Sequence, residues 1–297
     1  MAEAAQTSDP EYLTVKELAE LLRLKERKVY DLAASGEVPC SRVTGKLLFP
    51  SKDIHAWIHG GQSGGNPSAA PRPNVFLGSH DPLLEWALQH SQCGLATFFD
   101  GSLDGLTRLR AGEGVATGLH VYDRATQEWN IPTVKAEFAG HNMALLSFAT
   151  RHRGLVMEHD LMRRVQSVAD LNGRRIVERQ PNSGTERLFQ DLLSQAGLSA
   201  ADFQTVEVAR SEMEAVLTVS QGEADVAFGL QPLARQFGLG FVPVIEERFD
   251  LLVDRKAWFD PAMQSFADFC ASKTFQSRAK DMAGYDVSAF GQVRWNG

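Results

Sequence analysis

The sequence predicts an α/β chain in two parts: a small helical head with a helix–turn–helix corner, then a larger domain of alternating strands and helices. Three observations predict it. Residues 14–34 hold two amphipathic segments with helix-end signals, separated by a two-residue turn. Residues 59–74, HGGQSGGNPSAAPRPN, are rich in Gly, Ser, Pro and Ala and cannot build a core. From Val75 onward an apolar run, a polar turn and an amphipathic segment recur in that order, the pattern of α/β layers around a mainly parallel sheet. We therefore expect a head over 11–58, a linker over 59–74 and a large domain over 75–297.

In the head, the first helix is expected over 14–23, with Leu18, Leu21 and Leu22 on one face. Thr14 is a good N-cap, and Glu17 three residues on completes a capping box. Residues 25–34, KERKVYDLAA, form the second helix, closed by Gly36 in a left-handed conformation. The Leu24-Lys25 turn leaves room only for a sharp corner. Val29 and Leu32 should face the core. Lys25, Arg27, Lys28 and Tyr30 should stand on the exposed N-terminal side, where a groove-reading helix presents side chains to bases and phosphates. Two short strands, 41–43 and 47–49, would flank Thr44-Gly45-Lys46 as a basic-tipped wing. Ser51 then caps a last helix, KDIHAWI, whose Ile54, Trp57 and Ile58 pack back.

The segments VYDLAASGEVP, the Gly-Lys wing and FPSKDIHAWI, in this order, resemble the excisionase and MerR-type winged-helix DNA-binding family over residues 12–58. The resemblance implies DNA as a partner, with Lys25, Arg27, Lys28, Tyr30, Arg42 and Lys46 as contact residues. Basic and acidic residues nearly cancel over 11–60, so one head neutralises few phosphates. A homodimer reading two half-sites is expected.

Composition narrows the remainder. With 43% hydrophobic and 23% charged residues over 297 positions, the chain can bury substantial cores. A net charge of −7 confines any nucleic-acid contact to a local surface. Cys40, Cys93 and Cys270 are widely spaced and odd in number, with neither zinc spacing nor a disulfide framework. The opening MAEAAQTSDPEY has no basic start and no apolar run, and no stretch reaches the roughly 18 apolar residues of a membrane span. A cytoplasmic protein without a membrane partner is expected.

In the large domain, strands are expected at Val75–Gly78, 95–99 and 115–121, and helices at 83–90 and 103–111. Three corners carry the same small polar chemistry: Gly78-Ser79-His80-Asp81, Asp100-Gly101-Ser102 and Asn182-Ser183-Gly184-Thr185. Each lies just before a helix, where unpaired N–H groups and partial positive charge suit an anion. Converging, they would make a neutral cage of donors for a small oxyanion.

The stretches GEGVATGLHVYD (112–123) with Trp129-Asn130-Ile131-Pro132, SVADLNGRRIVERQPNSGTERLFQDLL (167–193) and GEADVAFGLQPLARQFGLGFVPVIEERFDLLV (222–253) are the landmarks of a second resemblance. They are similar to the periplasmic-binding-protein-like sensor domain of bacterial one-component transcription regulators, related to molybdate- and tungstate-binding proteins. The resemblance covers roughly 75–290. It implies a type 2 two-lobed α/β fold, lobe one being 75–149 and 247–297 and lobe two 150–246, with hinge crossings near 147–150 and 246–249. The anion-contacting turns map onto Ser79, His80, Ser102, Ser183, Gly184 and Thr185. His120, Glu212 and Glu214 would lie near the cleft. Relatives often place an arginine directly after the Ser-Gly-Thr turn; here Glu186 stands there, and it would repel an anion unless it turns away.

No nucleophile elbow, His-Glu-x-x-His or phosphate-binding loop is present, so no catalytic residue, metal ligand or cofactor is assigned. Arg151 and Arg153, flanking the hinge, are expected to form ion pairs. The function expected is a ligand-responsive, DNA-binding regulator sensing a small intracellular anion, with molybdate or tungstate first as effector. The alternatives are the same regulator sensing a small organic acid or sulfonate, and a solute-binding or molybdenum-cofactor accessory protein.

Overall fold

The computed structural model describes residues 11–42, 45–60, 71–181 and 183–297. Val43 and Thr44 of the expected wing, linker residues 61–70 and Asn182 lie outside them. The chain divides into two compact units, Met1–Pro71 and Arg72–Gly297.

The first unit contains strand β1 (Tyr12–Leu13), helices α1 (Val15–Leu22) and α2 (Glu26–Ala34), strand β2 (Phe49–Pro50) and helix α3 (Ser51–Gly60). The capping box at Thr14 forms: Glu17 N donates to Thr14 Oγ1 at 3.3 Å, and Thr14 N donates to Glu17 Oε2 at 2.7 Å. Arg23 adopts a left-handed conformation, φ 54°, which turns the chain sharply between the helices. Gly36, φ 74°, follows α2, and the Glu37 N–H bonds back to Leu32 O at 3.0 Å, closing a Schellman cap. Leu18, Val29, Phe49 and Ile54 are fully buried together. Leu21 is 44% exposed, against expectation, because the buried stripe runs through Val15, Leu18, Ala19 and Leu22, one helical face, and Leu21 falls outside it. Among the described residues of the expected wing, one antiparallel bridge joins Ser41 to Leu48. Phe49 pairs with Leu13 instead, because its fully buried ring is needed in the core beneath β1.

The second unit opens with β3 (Val75–Gly78), α4 (Pro82–His90), β4 (Ala96–Phe99), α5 (Ser102–Arg110) and β5 (Ala116–Leu119). A small hairpin of β6 (Tyr122–Asp123) and β7 (Glu128–Trp129) leads to α6 (Ile131–Phe138) and the long strand β8 (Met143–Met157). Then follow β9 (Arg175–Arg179), α7 (Gly184–Gln195), β10 (Gln204–Ala209), α8 (Glu212–Ser220), β11 (Val226–Leu230), α9 (Gln231–Gln236) and the second long strand β12 (Gly240–Asp254). Helices α10 (Pro261–Ala271) and α11 (Lys273–Asp281) and strands β13 (Tyr285–Asp286) and β14 (Val293–Asn296) close the chain.

The sheet order is β10-β9-β11-β8-β12-β5-β3-β4, with β13 and β14 on β8. Strands β4, β3 and β5 are parallel, as are β10, β9 and β11. Between these sets, β8 and β12 pair antiparallel through 15 residues each, so two α/β lobes share one pair of strands. Glu247 lies opposite Arg151 in the middle of this pair, and the register slips between Phe249 and Asp250. Each lobe has an apolar core on either face of its strands: Phe76, Phe148 and Phe266 stand in one, Leu106 and Phe138 in its counterpart, Phe189 and Phe228 in the third, Val216 and Leu233 in the fourth.

One close approach positions the first lobe's corner. A Cβ on Gly105 of α5 would fall 2.3 Å from Gly78 Cα and 2.2 Å from Thr117 Oγ1. Only glycine lets α5 lie this near β3 and β5. Gly105→Ala is expected to cost about 1–3 kcal/mol by overpacking, read as a lower urea midpoint at unchanged slope. A midpoint equal to wild type would show that α5 can lift away freely.

Candidate functional site

Ligands of α/β sheets sit beyond the carboxyl ends of the strands, and the second unit gathers its polar residues there. Ser79 and His80 follow β3, Asp100 and Gly101 follow β4, and His120 follows β5. From the second lobe, Gln180 follows β9, which ends in Arg179, and Arg210 follows β10; Ser183 caps α7 and Glu212 opens α8. These side chains, with Thr185 and Phe99, line a cavity of about 30 Å³, room for about two waters.

Ser79, His80, His120, Ser183 and Thr185 thus line one cavity, drawn from both lobes. Ser102 does not line it. It is fully buried behind Ser79, their Oγ atoms 2.7 Å apart, and its Oγ accepts the His120 N–H at 3.1 Å. With that acceptance, the Ser102 hydroxyl is free to donate to Ser79, leaving the Ser79 proton for a ligand. Gly184 is likewise a packing position: a Cβ there would meet His120 O at 2.7 Å. Glu214 is exposed and accepts the Arg210 N–H at 2.6 Å as a helix-end cap, away from the cavity, whereas Glu212 lines it.

The helix starts are not equivalent. At α4 the first free amides are taken by Asp81, whose Oδ1 accepts from Leu83 N at 2.9 Å and Leu84 N at 2.8 Å. Helix α5 has Gly101 as its N-cap and no side-chain cap, so its first amides stay available beside the cavity. At α7, Ser183 Oγ accepts only from Glu186 N, at 3.1 Å. Glu186 does turn away: its carboxylate accepts from Arg179 N and from Gln190 Nε2, both at 2.7 Å. That removes the repulsion its position in the sequence implied.

The expectation of a neutral cage is corrected by a buried ionic network. Arg151, on β8, contacts Asp81 and places Nη2 2.7 Å from Glu247 Oε1. Arg153, two residues on and on the same strand face, bonds Glu247 through Nε and clasps Glu212 with both Nη atoms, at 3.0 and 3.1 Å. Arg179 Nη1 is 3.1 Å from Glu212, and Thr185 Oγ1 donates to the same carboxylate at 2.8 Å. Tyr285 donates to Asp81, and His120 Nδ1 contacts Glu247. Arg151, Arg153, Asp81 and Glu247 are fully buried, and the Arg151 guanidinium also lies 4.4 Å from the Phe249 ring centre. Arg151 and Arg153 are ion-paired, as the sequence led us to expect.

The network sets the protonation of its members. Burial pushes the Glu247 carboxyl up, but Arg151, Arg153 and the His120 contact outweigh it and hold it well below the usual carboxylate range. The same contest leaves Glu212 depressed, through Arg153 and Arg179. Burial lowers His120 more than Glu247 raises it, so the imidazole is neutral near pH 7. Burial and the adjacent Asp81 carboxylate push the Tyr285 phenol well up, so it remains a donor.

Arg179, Arg210, Glu247 and Tyr285 are the residues that sequence reasoning missed, whereas Asp81 was read as part of a polar corner without its arginine partner. Arg179 carried a readable signal, standing at a strand end just before a polar helix start. Glu247 and Tyr285 had none, since their partners lie about 95 and 205 positions away in sequence.

In the first unit, Lys25, Arg27, Lys28, Tyr30, Arg42 and Lys46 are all exposed. With Val29, Leu32 and Ala33 buried, the 100° step per residue places Arg27 opposite the core, Tyr30 on one flank and Lys28 on the other. Tyr30, Arg42 and Lys46 border a groove of about 880 Å³ that also holds Glu26 and Asp31. Arg42 Nη2 donates to Ala33 O at 3.2 Å, tying this arginine to the end of α2.

A family model described as a PBP superfamily domain matches residues 84–271, well over half of the chain. The chain belongs to the PBP superfamily. A second model, described as a helix-turn-helix domain, matches residues 12–62. Over 300 aligned residues, this PBP-superfamily chain is 25% identical to the uncharacterized protein YvgK of Bacillus subtilis (strain 168), covering 94% of this chain and 96% of that one. A shorter likeness, 27% over 84 residues, joins 28% of it to 74% of an uncharacterized Clostridium pasteurianum protein from the 5′ region of a 2Fe-2S ferredoxin gene. Among solved structures, a protein assigned as a phosphate ABC transporter substrate-binding protein from Clostridium perfringens, with bound phosphate, superposes with a TM-score of 0.52 at 13% identity. It covers 72% of this chain and 99% of its own, which shows the shared two-lobed fold. Among the described residues no helix is long and apolar enough to cross a membrane, and no cluster of three His, Cys, Asp or Glu is suited to a metal ion.

Proposed function

We propose that the protein is a ligand-responsive, DNA-binding transcription regulator without catalytic activity. The observation that carries this reading is the union, in one chain, of a helix-turn-helix domain with a PBP-superfamily pocket at the junction of two lobes. Ligand in the cleft draws the lobes together about the β8–β12 pair. In a homodimer this re-spaces the two heads on DNA. Only differential affinity for the two states can drive such a shift. The reading places the effector in the compartment that holds the DNA, the cytoplasm.

The ligand we propose is a small oxyanion, with molybdate and tungstate tested first. The small cavity favours a single compact ion, and Ser79, Ser183 and the open start of α5 supply donors. The structural neighbour from C. perfringens carries phosphate, an ion of the same shape. A small organic acid or sulfonate is the competing ligand and requires a more open cleft. Thermal unfolding with molybdate, tungstate, sulfate, phosphate, small carboxylates and sulfonates separates them. At 100 times its Kd, a ligand that binds only the native state adds about 2.7 kcal/mol. A concentration-dependent rise in the midpoint with an oxyanion supports the proposal; a rise with organic acids alone rejects the oxyanion.

DNA binding is tested on genomic fragments retained by the wild-type protein. Lys25→Ala, Arg27→Ala and Lys28→Ala together are expected to lower the slope of log affinity against log salt by about 2.7, some 0.9 for each phosphate that is no longer neutralised. Retention and salt slope equal to wild type would end the groove-reading role of α2. Ligand binding to the second unit should persist in this variant.

A further inference from the structure

The pocket is charge-balanced before any ligand enters. Arg151, Arg153 and Arg179 are met by Asp81, Glu247 and Glu212. Arg210 and Asp100 also line the pocket, both exposed and not ion-paired with one another. Among the described residues of the wall, Arg210 alone is a cation without a carboxylate partner, and it is exposed to water, so it answers an anion's charge only in part. Each helix N-terminus supplies about half an elementary charge, which leaves a dianion under-compensated when one uncapped start is open to it.

His120 is placed to make up the difference. Its ring is 3% exposed and forms part of the cavity wall. Nδ1 lies against the Glu247 carboxylate without the geometry of a hydrogen bond, and Nε2 has no hydrogen-bond partner among the described residues. The groups around it are Glu247 and the stacked Phe249 ring from β12, Arg151 and Arg153 from β8, and Gly184 from α7. His80 is the other imidazole on the wall; its Nε2 is paired with Glu85 at 2.9 Å, its buried Nδ1 has no partner among the described residues, and variants of each ring tell the two apart. Burial and the two arginines keep His120 neutral in the empty pocket; an anion beside it reverses the sign of the local field.

We propose that an anion enters this pocket together with one proton, taken up from solvent at His120 Nε2. The new N–H gives the pocket a charged donor, and the imidazolium has the Glu247 carboxylate beside Nδ1 as its counter-charge on the hinge side. No other bond is made or broken. The inference rests on the anion-sensing reading above, and it makes affinity for a proton-free dianion fall with rising pH.

The test is titration calorimetry of the full chain with sulfate, molybdate and tungstate, which carry no proton near neutrality, in two buffers of different ionisation enthalpy. Uptake of close to one proton per anion is expected, with affinity dropping near tenfold per pH unit between pH 7 and 8. His120→Gln should bind more weakly, with no proton uptake and no pH slope. If that variant does not fold, the His120 ring protons of the wild-type chain decide the matter by NMR, their titration midpoint rising when anion is added. Binding without uptake, or an unmoved His120 midpoint, overturns the inference and leaves the oxyanion reading standing. Uptake lost in His80→Gln and kept in His120→Gln also overturns it. No binding by any oxyanion removes both.

Discussion

Glu247→Ala is expected to be among the most destabilising single changes in the second unit. The side chain is fully buried, and it neutralises Arg151 and Arg153 from the middle of the strand pair that both lobes share. Removing it leaves Arg151 with Asp81 alone and Arg153 with Glu212 alone, and one positive charge of the network uncompensated away from water. Breaking a buried pair in this way costs about 3–5 kcal/mol. For a unit of this size, at about 2–4 °C per kcal/mol, the unfolding midpoint should fall by roughly 6–20 °C. Asp104→Ala provides the contrast. Its pair with Arg108, 2.7 Å long and about one-third exposed, is screened by water and should matter far less. Equal losses from the two changes would show that the hinge network contributes no more than a surface pair. A well-packed apolar replacement of a buried ion pair is often no less stable, so the loss measures the charge left uncompensated and not the net worth of the network.

Stability of the second unit is expected to fall as the solution is acidified. Glu247 and Glu212 have folded values depressed below the ordinary 4.5, so each contributes stability that is complete above that value and is lost as pH falls through the folded one. Below pH 4.5 the slope should approach about 1.4 kcal/mol per pH unit for each group. His120 acts with the same sign in a higher window: its folded value lies below 6.5, so the unfolded chain binds more protons as pH drops from there. Asp250 opposes them, because burial raises its folded value even though Asn130 Nδ2 donates to it at 2.8 Å. Glu178 opposes them too, raised by burial. The depressed carboxylates of this unit, Asp123, Asp170, Asp202, Asp225 and Asp286 besides Glu212 and Glu247, outnumber the two raised, and acid sensitivity is the net result. Urea unfolding at pH 3.5–8 reads this directly. Glu212→Gln, which keeps the shape and loses the charge, should flatten the acid limb, and an unchanged limb would remove Glu212 from the account.

Much of the architecture was legible because its signals are local. The capping box at Thr14 and Glu17 and the left-handed Gly36 are decided within a few residues. So is the alternation that produces β3, α4, β4 and α5. Leu21 was misplaced because three leucines in a short helix fit more than one stripe, and the choice belongs to the partner surface: Ala19 packs inward in its place. The wing strand expected at 47–49 was over-read for a related reason. Phe49 has strong strand character, but which neighbour it pairs with is set by the core, and β1 takes it.

The candidate site shows the same division. Polar residues after strand ends can be found from sequence, and Ser79, His80, His120, Ser183 and Thr185 do share one cavity. Sequence cannot say which of them is already satisfied. Ser102 stands behind Ser79, and Thr185 spends its proton on Glu212.

By itself the sequence determined the two-part plan, the helix–turn–helix corner of the head, the α/β class and the strand-end location of the polar corners, which follow from periodicity and short-range hydrogen bonding; the two lobes came from the family resemblance. Only the tertiary structure decided the electrostatics of the cleft. Burial brings Asp81, His120, Arg151, Arg153, Arg179, Glu212, Glu247 and Tyr285 from separate places in the chain into one dry network. The strength of a charge pair depends on distance and on the exclusion of water, and neither is written in the order of the residues.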